Sequence, residues 1–146
     1  MREIDIFKAD TSTSIELLFA DDGIRAGFPS PSQDYMEKQL DLNQELISHP
    51  AATFLAKVVG LSMINAGIDE GDILVIDRSL EPRHDSIVVA YIDGEFTVKR
   101  LDLSKQKKGI VYLRSESAGY PDFKFTKEDN LRIWGVVSSI IKRLQE

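Results

Sequence analysis

The chain has 146 residues and a net charge of −6, with 18 Lys and Arg residues against 24 Asp and Glu residues. Apolar residues make up 42% of it, enough for the core of one compact domain, which excludes a disordered chain. The absence of cysteine excludes disulfide bonds, cysteine-ligated metals and a thiol nucleophile. Two isolated histidines argue against a multi-histidine metal site, and the negative charge favours protein partners over nucleic acid.

The sequence carries no recognisable targeting segment. Acidic residues near the N-terminus stand where a secretory signal would have a basic stretch followed by an apolar run. The longest apolar run, residues 87–92, is far shorter than the roughly 20 residues that cross a bilayer. We therefore expect a cytoplasmic protein with no membrane partner.

Residues 1–31 differ in composition from the rest of the chain. Six acidic and three basic residues give residues 1–26 a net charge of −3, half of the total. Two glycines and two prolines within residues 23–31 disfavour both a helix and a paired strand. The apolar side chains of this segment are too few for a separate core, but they are enough to lie on another surface. The pattern predicts an extended N-terminal arm over residues 1–31.

A short helix is predicted next, within residues 32–48. Ser32 can cap it, and eight of the residues that follow approximate a one-sided stripe that ends before Pro50. The stripe comprises Tyr35, Met36, Gln39, Leu40, Leu42, Asn43, Leu46 and Ile47.

From Thr53 onward the sequence predicts short β-strands. Alternating or β-branched runs cover residues 53–59, 73–76, 86–92, 95–101, 110–114 and 122–125. Asp93-Gly94 between two such runs predicts a hairpin. Residues 131–144 fit either a strand or a strand that runs into a helix, and their apolar side chains could serve the core or a dimer contact. The fold class that follows is mostly β, a curved sheet or half-barrel, preceded by the arm and the short helix.

Three places could carry chemistry, and each has an ordinary alternative. Lys99 lies in a predicted strand next to an apolar one, and burial would favour a neutral amine that can accept a proton, although exposed lysine is the rule. Ser62 follows a glycine after a strand, where successive N–H groups can hold an oxyanion, but turn serines are common. Ala26-Gly27 is small enough for a protease cleft, yet equally fits an exposed hinge.

Taken together, the motifs resemble one family. They are Ala26-Gly-Phe-Pro-Ser-Pro-Ser32, Asp34-Tyr35, Asp41-Leu-Asn43, Gly60-Leu-Ser-Met63, Gly67-Ile68, Gly71-Asp72, Asp93-Gly-Glu-Phe-Thr-Val-Lys99 and Gly135-Val-Val137. In order and spacing, over residues 24–140, they resemble the UmuD-type SOS mutagenesis proteins. These are relatives of the LexA repressor among the serine–lysine self-cleaving peptidases. The resemblance implies the fold of the LexA C-terminal domain for a peptidase domain over residues 32–146.

The resemblance also implies a function and a set of site residues. Ser62 would be the nucleophile, Lys99 the general base, the backbone N–H groups of Ser62 and Met63 the oxyanion hole, and Ala26–Gly27 the bond cut. No metal or cofactor is implied. RecA filaments on single-stranded DNA would stimulate the cleavage. The truncated product would act as a homodimer and regulatory subunit of a UmuC-like translesion DNA polymerase, without direct sequence-specific nucleic-acid binding.

Three other interpretations compete with this one. A LexA-like repressor would need a helix-turn-helix domain, and the 26 residues before Gly27 are too few for one. A signal peptidase shares the serine–lysine chemistry but would need a membrane-binding segment, which we do not find. A catalytically silent β-rich subunit of a polymerase complex remains open.

Overall fold

The structure is a computed structural model that describes residues 4–10, 16–19 and 38–145. Ala26-Gly27, Ser32, Tyr35 and Met36 lie outside the described residues. The elements are β1 (Ile4–Lys8), β2 (Glu16–Phe19), β3 (Lys38–Asp41), α1 (Leu42–Leu46), β4 (Thr53–Val58), β5 (Ile73–Asp77), β6 (Ile87–Ile92), β7 (Glu95–Asp102), β8 (Val111–Arg114), β9 (Phe123–Phe125) and β10 (Arg132–Ile141). Short 3₁₀ turns occur at Pro50–Ala52, Ile64–Ala66 and Gln106–Lys108.

Eight of these strands form one antiparallel sheet in the order β1-β4-β5-β10-β6-β7-β8-β9. The sheet curls into a half-barrel, which confirms the predicted mostly β fold of the LexA C-terminal-domain type. Ile4 on β1 and Val98 on β7 belong to the same core although four strands separate β1 from β7 in the sheet order. The curl therefore encloses the core on its concave side.

The first residues of the predicted arm form an edge strand of this sheet. β1 pairs with β4, with Ile4 opposite Val58 and Lys8 opposite Phe54. Ile4 is buried and contributes to the core. β1 becomes an edge strand because it pairs with a strand about fifty residues later in the chain. Local composition cannot predict so distant a partner. The division into an arm over residues 1–31 and a domain over residues 32–146 stays a prediction.

Residues Asp10–Pro50 form a second compact unit. Within it β2 and β3 pair antiparallel, with Leu17 opposite Leu40. The predicted short helix is present at Leu42–Leu46, but the prediction was wrong for Gln39 and Leu40, which lie in β3. Cross-strand pairing with β2 supplies the backbone hydrogen bonds there, and a one-sided stripe in a single segment carries no signal of such a partner. Asp41 caps the helix by accepting a hydrogen bond from the Asn43 amide at 3.0 Å.

The hairpin between β6 and β7 is confirmed and fixes the register of the strand that carries Lys99. Asp93 and Gly94 have φ values of 51° and 83°, the left-handed pair that a two-residue turn of the I′ type requires. The register places Val88 opposite Lys99 and Val89 opposite Val98. Both valines are fully buried, so Lys99 enters the domain beside an apolar strand.

Within residues 131–144 the structure has a strand, β10, which lies in the middle of the sheet between β5 and β6. Its first half packs into the core, whereas Ile140 and Ile141 near its end are each 38% exposed. The core residues on β10 are Ile133, Trp134, Val136 and Val137. Most of this apolar run therefore serves the core.

Gly135 on β10 allows a close approach to β5. A Cβ added there would lie 2.6 Å from Ile76 Cγ2, and Ile76 is fully buried. We expect Gly135→Ala to lower the free energy of unfolding by about 1–3 kcal/mol, because a packed core relieves such overlap only by shifting the backbone. Urea unfolding followed by circular dichroism measures the change. Arg132→Ala at an exposed position of the same strand is the control, and an equal effect of both substitutions would contradict the explanation.

Candidate active site

Ser62 lies in the loop that leaves the core after β4. The strand ends at Val58, and the 3₁₀ turn Ile64–Ala66 follows the serine by two residues. The next side chain, Met63, is buried and packs in the core with Val58 and Ile68. This anchor holds the loop against the sheet, and Ser62 itself is only 4% exposed.

Lys99 lies on β7, which three strands separate from β4 in the sheet order, and its side chain reaches this serine. Its side chain is 2% exposed, so the favoured expectation from residue pattern alone, a surface lysine, is wrong for this position. The Lys99 amine donates hydrogen bonds to Ser62 Oγ at 3.0 Å and to the Val98 carbonyl at 3.1 Å. The structure thus brings together two side chains that are 37 residues apart in the sequence.

The pair has the geometry of a nucleophile and a base. A hydroxyl oxygen and a nitrogen at 3.0 Å lie within the range over which a proton passes directly between them. A neutral lysine amine keeps two donors and one lone pair, so it can donate to the Val98 carbonyl and accept from Ser62 at the same time. Burial of both side chains keeps bulk water from competing for these bonds.

The serine loop is fixed by hydrogen bonds from Glu116 and by bonds within its own turn. The Glu116 amide donates to the Ser62 carbonyl at 2.7 Å, and the Glu116 carbonyl accepts from the Asn65 amide at 2.7 Å. The Met63 carbonyl accepts from the amides of Ala66 and Ile68. These bonds engage the carbonyls of Ser62 and Met63; the oxyanion role of their amides stays a prediction.

Two spaces adjoin the pair. An open cleft of about 190 Å³ lies on the Lys99 side and mixes apolar and polar walls. It is lined by Ile92, Asp93, Glu95, Thr97, Lys99, Ser115, Tyr120, Pro121 and Phe123. A much smaller, largely apolar space of about 10 Å³ lies beside Ser62, lined by Ile4, Val58, Gly60, Met63, Ile68 and Val98. The small space has room for about one water molecule or a methyl group.

Charged groups elsewhere on the sheet form structural ion pairs. Hydrogen bonds from Ser104, followed by the one from Arg114, hold the pKa of the Asp102 carboxyl well below its usual range. The same contact with Asp102 raises the pKa of the Arg114 guanidinium. Hydrogen bonds to Asp69 and Asp72 raise the pKa of the Lys142 amine. Asp102, Arg114 and Lys142 therefore stay charged at neutral pH, and their ion pairs connect neighbouring segments of the chain.

Arg100 and Glu116 are residues near the pair that sequence reasoning missed. Arg100 follows Lys99 on β7, and its Nε donates to Glu116 Oε1 at 2.6 Å. No motif or spacing singled them out, because their partnership depends on how the loop after β8 folds back towards residue 62.

Among residues 4–10, 16–19 and 38–145, no three His, Asp or Glu side chains lie together as ligands for a metal ion. Within the same part of the chain no helix is long and apolar enough to cross a membrane.

Comparison with known proteins identifies relatives of the whole chain. Residues 19–138 match the family described as Peptidase S24-like. The chain is 49% identical to Protein ImpA of Salmonella typhimurium over 129 residues, which cover 88% of this chain and 85% of ImpA. It is 39% identical to Protein MucA of Escherichia coli over 140 residues, 93% of this chain and 92% of MucA. It is also 36% identical to the LexA repressor of Haemophilus influenzae over 121 residues, which are 82% of this chain but 56% of that repressor.

The half-barrel and the extent of these matches define the class: the chain belongs to the Peptidase S24-like family of serine peptidases. Within that family it is a UmuD-type protein of SOS mutagenesis, which confirms the resemblance found in the sequence.

Proposed function

We propose that the protein is a self-cleaving serine peptidase in which Ser62 is the nucleophile and Lys99 the general base. The observation that carries the proposal is the contact of 3.0 Å between Ser62 Oγ and Lys99 Nζ, with both side chains buried. A hydroxyl is a weak nucleophile until an adjacent base removes its proton, and a lysine amine in contact with it supplies that base. Membership of a serine-peptidase family supports the assignment.

The reaction balances without a metal or a cofactor. Neutral Lys99 takes the Ser62 proton while Oγ attacks the Ala26 carbonyl, and the backbone N–H groups of Ser62 and Met63 hold the resulting oxyanion. The Lys99 ammonium then protonates the Gly27 amine as the peptide bond breaks. Water, deprotonated by the same amine, releases the acyl group from Ser62 and yields residues 1–26 and 27–146.

The space around Ser62 and Lys99 suits a small side chain on the residue that precedes the cleaved bond. The pocket of about 10 Å³ beside Ser62 accepts little more than a methyl group, which matches the side chain of Ala26. The larger cleft beside Lys99 offers room for the neighbouring residues of an extended segment. We therefore assign Ala26–Gly27 as the bond cut, and residues 1–31 and 32–146 as arm and peptidase domain.

The cellular role we propose follows from the UmuD-type identity. RecA filaments on single-stranded DNA stimulate the cleavage by favouring the conformation in which the arm reaches Ser62, a shift of population with no added catalytic group. The product, residues 27–146, acts as a homodimer and regulatory subunit of a UmuC-like translesion DNA polymerase. The exposed Ile140 and Ile141 at the end of β10 are compatible with a contact between two copies.

Incubation with RecA, ATP and single-stranded DNA tests the proposal. We expect mass spectrometry to find two products divided between residues 26 and 27, and no cleavage when RecA or the DNA is left out at neutral pH. Ser62→Ala should leave the chain intact under the same conditions. An intact wild-type chain would favour the alternative, a catalytically silent β-rich subunit of a polymerase complex.

A further inference from the structure

We propose that Glu116, held by Arg100, is a positioning residue that sets the place of Ser62 relative to Lys99. The inference rests on the proposed peptidase function and adds a determinant to its site. Glu116 contacts the nucleophile loop through its backbone and β7 through its side chain, so the role is one of positioning.

The backbone of Glu116 bridges the two sides of the nucleophile loop. Its amide donates to the Ser62 carbonyl and its carbonyl accepts from the Asn65 amide, each at 2.7 Å. One residue from outside the loop therefore fixes the loop at the nucleophile and three residues beyond it. A displacement of Glu116 moves Ser62 with it, because short hydrogen bonds transmit the shift.

The side chain of Glu116 is in turn fixed to the strand that carries the base. Arg100 Nε donates to Glu116 Oε1 at 2.6 Å, and Arg100 Nη1 donates to the Asp85 carbonyl at 2.8 Å. Charge-assisted hydrogen bonds of this length are about twice as strong as neutral ones. Lys99 and Arg100 are consecutive residues, so β7 holds the base through one residue and the nucleophile loop through the next.

The Arg100–Glu116 ion pair should affect the position of Ser62 more than the stability of the fold. Its side chains are 29% and 31% exposed, and ion pairs with such exposure contribute little to the free energy of folding. A misplacement of about 1 Å at a reacting atom, by contrast, can cost about 100-fold in rate. Loss of the pair should therefore slow the reaction more than it lowers the melting temperature.

Two assays on the full chain test this. The first is the rate of self-cleavage at alkaline pH without RecA, which leaves RecA docking out of the measurement. The second is the rate at which diisopropyl fluorophosphate labels Ser62, followed by mass spectrometry, which does not need the arm as a substrate. We expect Glu116→Ala to lower both rates about 10- to 100-fold. Glu116→Gln should retain most of both, since its amide oxygen still accepts from Arg100 Nε.

Control variants separate this effect from general loosening. Asp129→Ala removes a carboxylate that accepts from the Thr126 amide and hydroxyl in another turn, and it should leave both rates unchanged. Arg100→Gln repeats the test from the other side of the ion pair and decides it if Glu116→Ala does not fold.

The outcomes distinguish the inference from the function on which it rests. Wild-type rates for Glu116→Ala in both assays, with Ser62→Ala inactive, would overturn the positioning role and leave the peptidase function intact. If Glu116→Ala slowed cleavage but Ser62 were labelled at the normal rate, Glu116 would act in binding the arm. That result would also overturn the inference. A wild-type chain that neither cleaves nor becomes labelled would overturn the peptidase function, and the positioning role with it.

Discussion

Lys99→Met is expected to lower the rate of self-cleavage by at least about 1,000-fold while the protein stays folded. General-base catalysis contributes typically 100- to 10,000-fold, and an unassisted serine hydroxyl is a poor nucleophile at neutral pH. Methionine has nearly the length and volume of the lysine side chain, and the site is 2% exposed beside the apolar strand β6. The melting temperature should change little, because the apolar side chain removes the cost of burying an amine while the hydrogen bonds to Ser62 and the Val98 carbonyl are lost.

The measurement is the fraction of intact chain over time with RecA, ATP and single-stranded DNA, beside a thermal melt of each variant. Lys57→Met makes the same change at an exposed lysine on β4 and should cleave at the wild-type rate. Ser62→Ala should match Lys99→Met. Cleavage of Lys99→Met at a rate close to that of the wild type would show that Lys99 is not the base.

Local pattern predicted most of the strands because each is a β-branched run between turn residues. The hairpin at Asp93-Gly94 was predictable for a stronger reason: its turn needs positive φ at two consecutive positions, and few dipeptides tolerate that. The stripe across Gln39 and Leu40 was misread since it looked the same as a helical face. What selects a strand there is the partner β2, some twenty residues away in the chain.

The long-range arrangement could not be obtained from local pattern. Nothing in residues 4–8 signals that they pair with β4, nor does the composition of β10 signal insertion between β5 and β6. The burial of Lys99 shows the same limit. Residue type favoured an exposed side chain, and only the family resemblance pointed to the serine 37 residues earlier. Neither residue type nor the family resemblance predicted the contact between Arg100 and Glu116.

The contact between Ser62 and Lys99 bears on how the reaction is controlled. Both side chains lie within bonding distance in the uncut chain, so the proposed trigger has no catalytic group to assemble. Under the proposed mechanism two quantities govern the rate: the fraction of molecules in which the arm presents its bond, and the fraction in which the Lys99 amine is neutral. RecA would act on the first, and pH acts on the second.

Raising the pH to about 10 is therefore expected to cleave the wild-type chain without RecA. Only the neutral amine can accept the Ser62 proton, and a higher pH favours the neutral form of an amine. The rate constant for cleavage should therefore rise as the pH is raised from neutral. A series of incubations from pH 7 to pH 10.5, analysed by mass spectrometry, gives the profile.

Two variants exclude other causes of alkaline cleavage. Ser62→Ala and Lys99→Met should stay intact at pH 10, since both keep the Ala26–Gly27 bond but lack one partner of the proton transfer. Circular dichroism at each pH must show that the sheet persists, because an unfolded chain would present many bonds to hydroxide. A folded wild-type chain that remains intact for days at pH 10 would contradict the assignment of Lys99. Cleavage of Lys99→Met at the wild-type rate at pH 10 would show that hydroxide, and not Lys99, is the base.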